Sequence, residues 1–517
     1  MKGKLYILTI VSMTVMSAWN SAGCHERSEA SIFPPAVHQN DDLTLQQELE
    51  AIVRGDVLGD AVVGICVRTG DGRTLADIGS RKKMVPASNM KLISTGAAIH
   101  SLGGDYRYYT GIGHDGTVID GTLMGDLYII GGGDPTLGSK DSIATPLEVT
   151  FGQWEKMIRE AGIKEIDGRI IGSSGDFFSG MAEEPTWQWN DIGTYYGAGV
   201  TGLMFYENMQ SFDVSAGSAV GEPLNISPSY PDVPWMEFRY DCSTGKAGTG
   251  DMLYMYTSDM APIAEIRGTF GVDRKPKRVD CSNKFPERTC AHYFAEWLEN
   301  HGIRCIQGAA DERFRTEAEE GNGAMKEDIT MIGKTESPTL RQIIYETNHI
   351  SNNLYAETLL RTLGRELRNK GCYDSSYVAI REVLEELDID VSRGCAIQDG
   401  SGLSRQNFIS PDFFCRFMEA MMKSPQFEAF VESLPSPGCP GTLSYNMKNH
   451  PAELKERIKA KSGSMNGVRC YTGYVIPREG CKDETIIFSI MVNNCTAPSW
   501  KVRPVLDKIM GMIAQMN

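Results

Sequence analysis

The stretch Pro86-Ala87-Ser88-Asn89-Met90-Lys91-Leu92-Ile93-Ser94-Thr95 decides how the rest of the chain is read. A proline and two small residues lead into an apolar series at helical spacing: Met90, Leu92, Ile93, Ala97, Ala98 and Ile99. Ser88 is therefore expected at or just inside a helix N-terminus, with Lys91 three residues on over the same face. A serine hydroxyl is a weak nucleophile until a base takes its proton, and a lysine serves if burial or a neighbouring cation lowers its pKa. The helix N-terminus adds N–H groups and a positive dipole end, which favour the anions of acyl transfer. Taken alone, Ser88 is also explained as an ordinary helix cap. The pattern recurs at Ser80-Arg81-Lys82-Lys83. That copy runs into Met84-Val85-Pro86, an extended approach, because the residue before a proline avoids the helical region, and it reads as a solvated basic strand end.

Upstream, Leu43 to Val57 has the pattern of an amphipathic helix, and strands at Ala61–Val67 and Thr74–Ile78 flank the turn Gly70-Asp71-Gly72. Downstream of about Leu102, glycine-rich hairpins lead to Leu127–Ile130, a helix over Thr150–Ala161 and a strand over Asp167–Gly172. Short alternating strands from Ser211 to about Lys277 suggest a small β-rich unit, and Pro286–Gly302 returns to helix. A long helical stretch, Pro338 to Lys370, is interrupted near His349–Asn353, and helices follow at Asp374–Leu387, Pro411–Lys423 and Gln426–Glu432. Three strands, Ile458–Lys461, Val468–Ile476 and Thr485–Asn493, precede a closing helix over Pro504–Gln515, with the proline in its first turn. Hairpin and helix early, strands and helix late, suggest one α/β unit in two halves parted by a long insertion.

At 517 residues the chain needs more than one core. A net charge of −16 argues against nucleic acid as a partner and gives no hold on anionic lipid. Residues 1–23 read as a signal peptide: Met1-Lys2-Gly3-Lys4 is basic, and Leu5–Trp19 is apolar but short for a membrane span. Ser21-Ala22-Gly23-Cys24 resembles a bacterial lipobox, with Ser21 where Leu is usual. That resemblance implies a periplasmic lipoprotein anchored through Cys24 as its only membrane contact; the alternative is a cleaved signal and a free protein. Residues 24–42 read as a tether. The other twelve cysteines are an even number, which permits disulfides, although Cys66 in an apolar strand also suits a buried thiol. Neither Cys-x-x-Cys nor His-Glu-x-x-His occurs, so no metal and no cofactor are expected.

Two further motifs lie in the second half: Ser351-Asn352-Asn353 at the helical break, and Lys461-Ser462-Gly463-Ser464 at the end of a predicted strand. In order, Ser-x-x-Lys, Ser-x-Asn and Lys-Ser-Gly resemble the three signatures of penicillin-recognising serine enzymes. The long gap between Ser88 and Ser351 resembles the D-alanyl-D-alanine carboxypeptidase/endopeptidases, the type-4 penicillin-binding proteins of low-molecular-mass class C, peptidase family S13. Asp399-Gly400-Ser401-Gly402-Leu403-Ser404, Gly133-Asp134-Pro135-Thr136-Leu137 and Trp189-Asn190-Asp191 add to the resemblance. It implies an α/β (α+β) β-lactamase-like transpeptidase domain, an antiparallel sheet flanked by helices, built from 43–101 and 336–517. Two β-rich insertions are implied, 102–209 with 278–335 and, nested within it, 210–277.

The resemblance also implies roles. Ser88 attacks the penultimate D-alanine carbonyl, with Lys91 as base held neutral in part by Lys461. Ser351 relays a proton to the leaving amine, and Asn353 holds the substrate amide and orients Lys91. Lys461, Ser462, Gly463 and Ser464 receive the terminal carboxylate, and the N–H groups of Ser88 and Ser464 make the oxyanion hole. Asp191, Tyr196, Arg405 and Asn466 fall where the peptide stem binds, with Asp191 suited to a diaminopimelate amine. Expected ligands are peptidoglycan peptides and β-lactams. Two other readings stay open. One is a class C β-lactamase-like hydrolase, for which Tyr206-Glu207-Asn208 supplies a Tyr-x-Asn pattern; the other is a non-catalytic cell-wall-binding protein.

Overall fold

The computed structural model describes residues 44–312, 329–478 and 484–516. The expected leader, Cys24 and the expected tether lie outside the described residues. Strands from both ends of the chain form a single five-stranded sheet, in the order Thr74–Ile78, Val62–Thr69, Ile486–Asn493, Val468–Val475, Ile458–Met465. Every neighbouring pair is antiparallel. Val62 to Thr69 pairs without a break against Asn493 to Ile486, so the early hairpin and the late strands close on each other.

Both faces of this sheet are buried, so its central strands are apolar almost throughout, with successive side chains entering opposite cores. Val63, Ile65, Val67, Phe488, Ile490 and Val492 pack against the helices Leu45–Val53 and Ser499–Ala514. Cys66, Ile487, Met491, Cys470 and Tyr474 face the other way, onto Met90–Leu102, Leu340–Ile350, Asn353–Arg368 and Pro411–Lys423. Helix Leu45–Val53 starts where a capping box forms: Thr44 accepts from the Gln47 N–H, and the Gln47 side chain accepts from the Thr44 N–H. The closing helix begins at Ser499, so Pro504 lies inside it, not in its first turn. Pro498 fixes the entry, and the apolar series Val502, Leu506, Ile509, Ile513 holds the helix through the lost hydrogen bond.

The insertion builds its own sheets. A mixed five-stranded sheet runs Ala309–Asp311, Ile170–Ser173, Leu127–Gly131, Tyr109–His114, Thr330–Glu336, with a smaller four-stranded sheet beside it. The amphipathic helices Leu147–Glu160 and Pro286–Asn300 cover them through Phe151, Trp154, Ile158, Phe294 and Leu298. Two three-stranded sheets, Met209–Ser215 with its neighbours and Glu237–Gly245 with its neighbours, enclose a small separate core of Phe212, Val214, Met255, Ile266 and Phe270.

Candidate active site

Ser88 sits in a single 3-10 turn, Ala87–Asn89, immediately before helix Met90–Leu102. No side-chain cap forms there, so helix capping does not account for Ser88. Ala87 is held at φ +46, a left-handed conformation that costs a non-glycine residue about 1–3 kcal/mol. The turn packs against strand Ile458–Met465 at the sheet edge. A Cβ on Gly463 would lie 2.5 Å from the Pro86 carbonyl oxygen and 2.9 Å from the Asn89 nitrogen. Only glycine lets the two backbones meet so closely. The strand runs on through Lys461-Ser462-Gly463-Ser464 to Met465, so the motif lies within it and not at its end.

Lys91 is fully buried, and its Nζ lies 3.1 Å from Ser88 Oγ. It donates to Asn353 Oδ1 at 2.6 Å and to the Ser401 carbonyl at 2.8 Å. A neutral amine has two hydrogens and one lone pair. With both hydrogens engaged, the lone pair is left for the Ser88 hydroxyl. Burial drives Lys91 down to about 7, against the opposing pull of Asp399 and Glu357. Burial, not the second lysine, is the leading cause. The repulsion is evident at Lys461, which burial and then the charge of Lys91 hold well below its ordinary value.

Ser351 ends helix Leu340–Ile350 in a left-handed conformation, φ +65, and Asn352 caps helix Asn353–Arg368 by accepting from the Tyr355 N–H. The Ser-x-Asn motif is thus the hinge between two helices, which aims Ser351 and Asn353 into one cleft. Lys461 Nζ donates to Ser351 Oγ at 2.9 Å, joining the second and third motifs. Ser462 is half-buried and Ser464 exposed on the same strand.

The shell behind Lys91 lies outside the three short motifs. Glu357, fully buried, accepts from the N–H groups of Gly400 and Ser401 and fixes the loop whose carbonyl holds Lys91. Burial, then the charge of Asp399, push Glu357 up to about 8. Asp399 accepts from the N–H groups of Gly402 and Ser404 and from Trp187 Nε1. A charged residue amid Leu354, Tyr355, Ala356, Leu359 and Leu360 was the available signal for Glu357.

Of the four expected stem-binding residues, Asp191, Tyr196 and Arg405 come together. Tyr196 donates to Asp191 at 3.1 Å, burial raises the Asp191 pKa, and the positive charge of Arg405 opposes that rise. The Tyr196 carbonyl accepts from Asn353 Nδ2 at 2.8 Å, so this segment abuts the cluster around Lys91. Asn466 is exposed in the hairpin turn beyond Met465. Tyr206 is packed in the core of the outer insertion, which removes it as a Tyr-x-Asn counterpart to Ser88.

Against known proteins, residues 45–513 match the family model described as D-Ala-D-Ala carboxypeptidase 3 (S13). A D-alanyl-D-alanine carboxypeptidase of Actinomadura sp. strain R39 is 27% identical over 470 residues, covering 88% of this chain and 82% of the relative. D-alanyl-D-alanine carboxypeptidase DacB of Haemophilus influenzae is 22% identical, covering 84% of this chain and 86% of the relative. The crystal structure of penicillin binding protein 4 (dacB) from H. influenzae superposes with a TM-score of 0.74 at 18% identity, covering 90% of this chain and 98% of that one.

Proposed function

Because the chain belongs to the D-Ala-D-Ala carboxypeptidase 3 (S13) family, we infer that Ser88 is the acylating nucleophile of its cleft. The protein is a serine-type D-Ala-D-Ala carboxypeptidase/endopeptidase acting on peptidoglycan stem peptides and crosslinks. One observation supports the assignment of roles above all: Lys91 has two hydrogen-bond acceptors besides Ser88, so that its neutral form offers Ser88 a lone pair.

In this reading neutral Lys91 takes the Ser88 proton as Oγ attacks the carbonyl of the penultimate D-alanine. The tetrahedral oxyanion meets the N–H groups of Ser88 and Ser464, each such donor being worth about 3–4 kcal/mol in the transition state. The proton passes from Lys91 to the leaving amine through Ser351, whose hydroxyl Lys461 orients. The C–N bond breaks, D-alanine or the crosslinked neighbour departs, and water later releases the acyl chain. Lys461 receives the terminal carboxylate with Ser462 and Ser464. The arriving anion raises the Lys461 pKa and favours its charged form beside a neutral Lys91. Asp191, flanked by Tyr196 and Arg405, takes the side-chain amine of a diaminopimelate-type third residue. Asn466 lines the outer end of the stem site. The leader at 1–23 and the small residues before Cys24 support export to the periplasm and lipid attachment.

The test is product analysis with a pentapeptide stem ending in D-Ala-D-Ala and with a D-Ala-crosslinked muropeptide dimer. Wild type releases D-alanine from the first and monomers from the second, and Ser88→Ala does neither. Failure of a folded wild type to cleave either substrate would overturn the reading.

A further inference from the structure

We propose that Lys284 is a positioning residue for substrate specificity: its buried ammonium holds the Ile192 carbonyl and so sets the Asp191 carboxylate for a side-chain amine of the stem peptide. The inference rests on the role given to Asp191 above. Asp191 belongs to the four-residue helical turn Trp189–Ile192, far too short to keep its own shape. No residue of the turn is buried, so apolar burial does not hold it either.

What holds it comes from a part of the chain about ninety residues further on. The Ile192 carbonyl accepts two bonds, from Lys284 Nζ at 2.8 Å and from Ser282 Oγ at 2.8 Å. The Ser282 N–H donates to the Gly193 carbonyl at 3.0 Å. Gly193 lies so close to Met255 that a Cβ would stand 1.7 Å from the Met255 oxygen. Lys284 also donates to Glu183 Oε1 at 2.6 Å, with 2% and 10% of the two side chains exposed. Glu183 and Ile192 bracket the segment that carries Asp191, so one ammonium ties both ends of it. Lys284 itself lies just past strand Lys277–Ser282, where the chain returns from the nested sheets.

Burying an ion pair is an expensive way to gain stability, since apolar side chains of like volume often do as well. The ammonium offers what they do not: donors aimed at a carboxylate and a carbonyl at once. The backbone bond made at Ile192 lies one residue from Asp191 and four from Tyr196, the two side chains that meet each other in the stem site. The segment Ser282–Lys284, where the chain leaves the nested sheets, contributes no residue to the Ser88–Lys91–Ser351–Lys461 cluster and yet acts on which peptide is accepted.

Three variants test this: Lys284→Met; Lys284→Met with Glu183→Gln, which leaves no orphaned charge in the core; and Ser282→Ala, which removes the second donor to Ile192 without touching a charge. KM and kcat are measured for a pentapeptide stem with a free side-chain amine on its third residue and for the same peptide acetylated there. Acylation by benzylpenicillin, which lacks that amine, is the control. In the double variant the free-amine peptide loses its KM advantage by about tenfold or more, the scale of a charge-assisted hydrogen bond. Benzylpenicillin acylation stays within about twofold, and Ser282→Ala shifts the preference the same way by a smaller factor. An unchanged preference overturns the proposal. So does a parallel loss of benzylpenicillin acylation, which would mark a general structural role. Asp191→Asn is run alongside: if it keeps the preference, the reading of Asp191 fails and the proposal with it. If it loses the preference while the Lys284 and Ser282 variants keep theirs, only the positioning role fails.

Discussion

At the scale of single residues, the proposed chemistry turns on the protonation of Lys91. Its pKa near 7 arises from burial, and in the proposed mechanism the serine is activated only when the amine is neutral. Acylation is therefore slow when Lys91 carries a proton and rises as pH climbs through about 7. The rate constant for benzylpenicillin acylation, followed from pH 5 to 9, should fall about tenfold per pH unit on the acid side. A flat profile would rule Lys91 out as the base. Ser88, Lys91, Ser351, Asn353 and Lys461, which the fold brings together, were singled out in the sequence because each lies in a short pattern with a chemical meaning. The Ser401 carbonyl was not. A backbone acceptor has no residue signature, and its placement depends on Glu357 reaching across from another helix.

At the scale of elements, the site is a meeting of a turn, a helical hinge and an edge strand. Gly463 is where turn and strand meet, and Gly463→Ala tests that contact. The added Cβ must push the Ser88 turn or the strand aside, an overpacking cost of about 1–3 kcal/mol. If that strain falls on the transition state, benzylpenicillin acylation drops by roughly 10- to 100-fold, since each 1.4 kcal/mol is a factor of ten. Thermal denaturation should show a folded protein with a lowered midpoint. Wild-type acylation in Gly463→Ala would mean that the close approach is not needed. The hairpin at Val62–Ile78 and the helix at Pro411–Lys423 were readable from turn glycines and a proline at the first helical position. The far half of strand Ile458–Met465 was not, because Ser-Gly-Ser is poor strand sequence. Pairing with Val468–Val475, Lys461 opposite Thr472 and Met465 opposite Val468, overrides that preference. Pro504 misled in the same way: its local meaning is a helix start, and burial of Leu506, Ile509 and Ile513 outweighs it.

At the scale of the molecule, one sheet is closed by strands from opposite ends of the chain, and this brings three distant motifs within a few ångströms of each other. Periodicity located those strands; their order in the sheet depends on pairing over long sequence separations, which no local pattern encodes. The tie from Tyr196 to Asn353 and the tie from Trp187 to Asp399 are of that kind. The cysteines tell the same story. Their even number permitted disulfides, yet the eleven among the described residues are thiols, several of them, such as Cys66, Cys415 and Cys470, spent as small apolar side chains in the core. Every role proposed for the residues of the cleft depends on a covalent acyl-enzyme at Ser88. Its most direct test is the intact mass of the protein after incubation with benzylpenicillin, beside Ser88→Ala. Wild type should gain the mass of one benzylpenicilloyl group per chain and the variant none. A folded wild type that gains no mass, or a Ser88→Ala protein that gains the same adduct, would contradict the account.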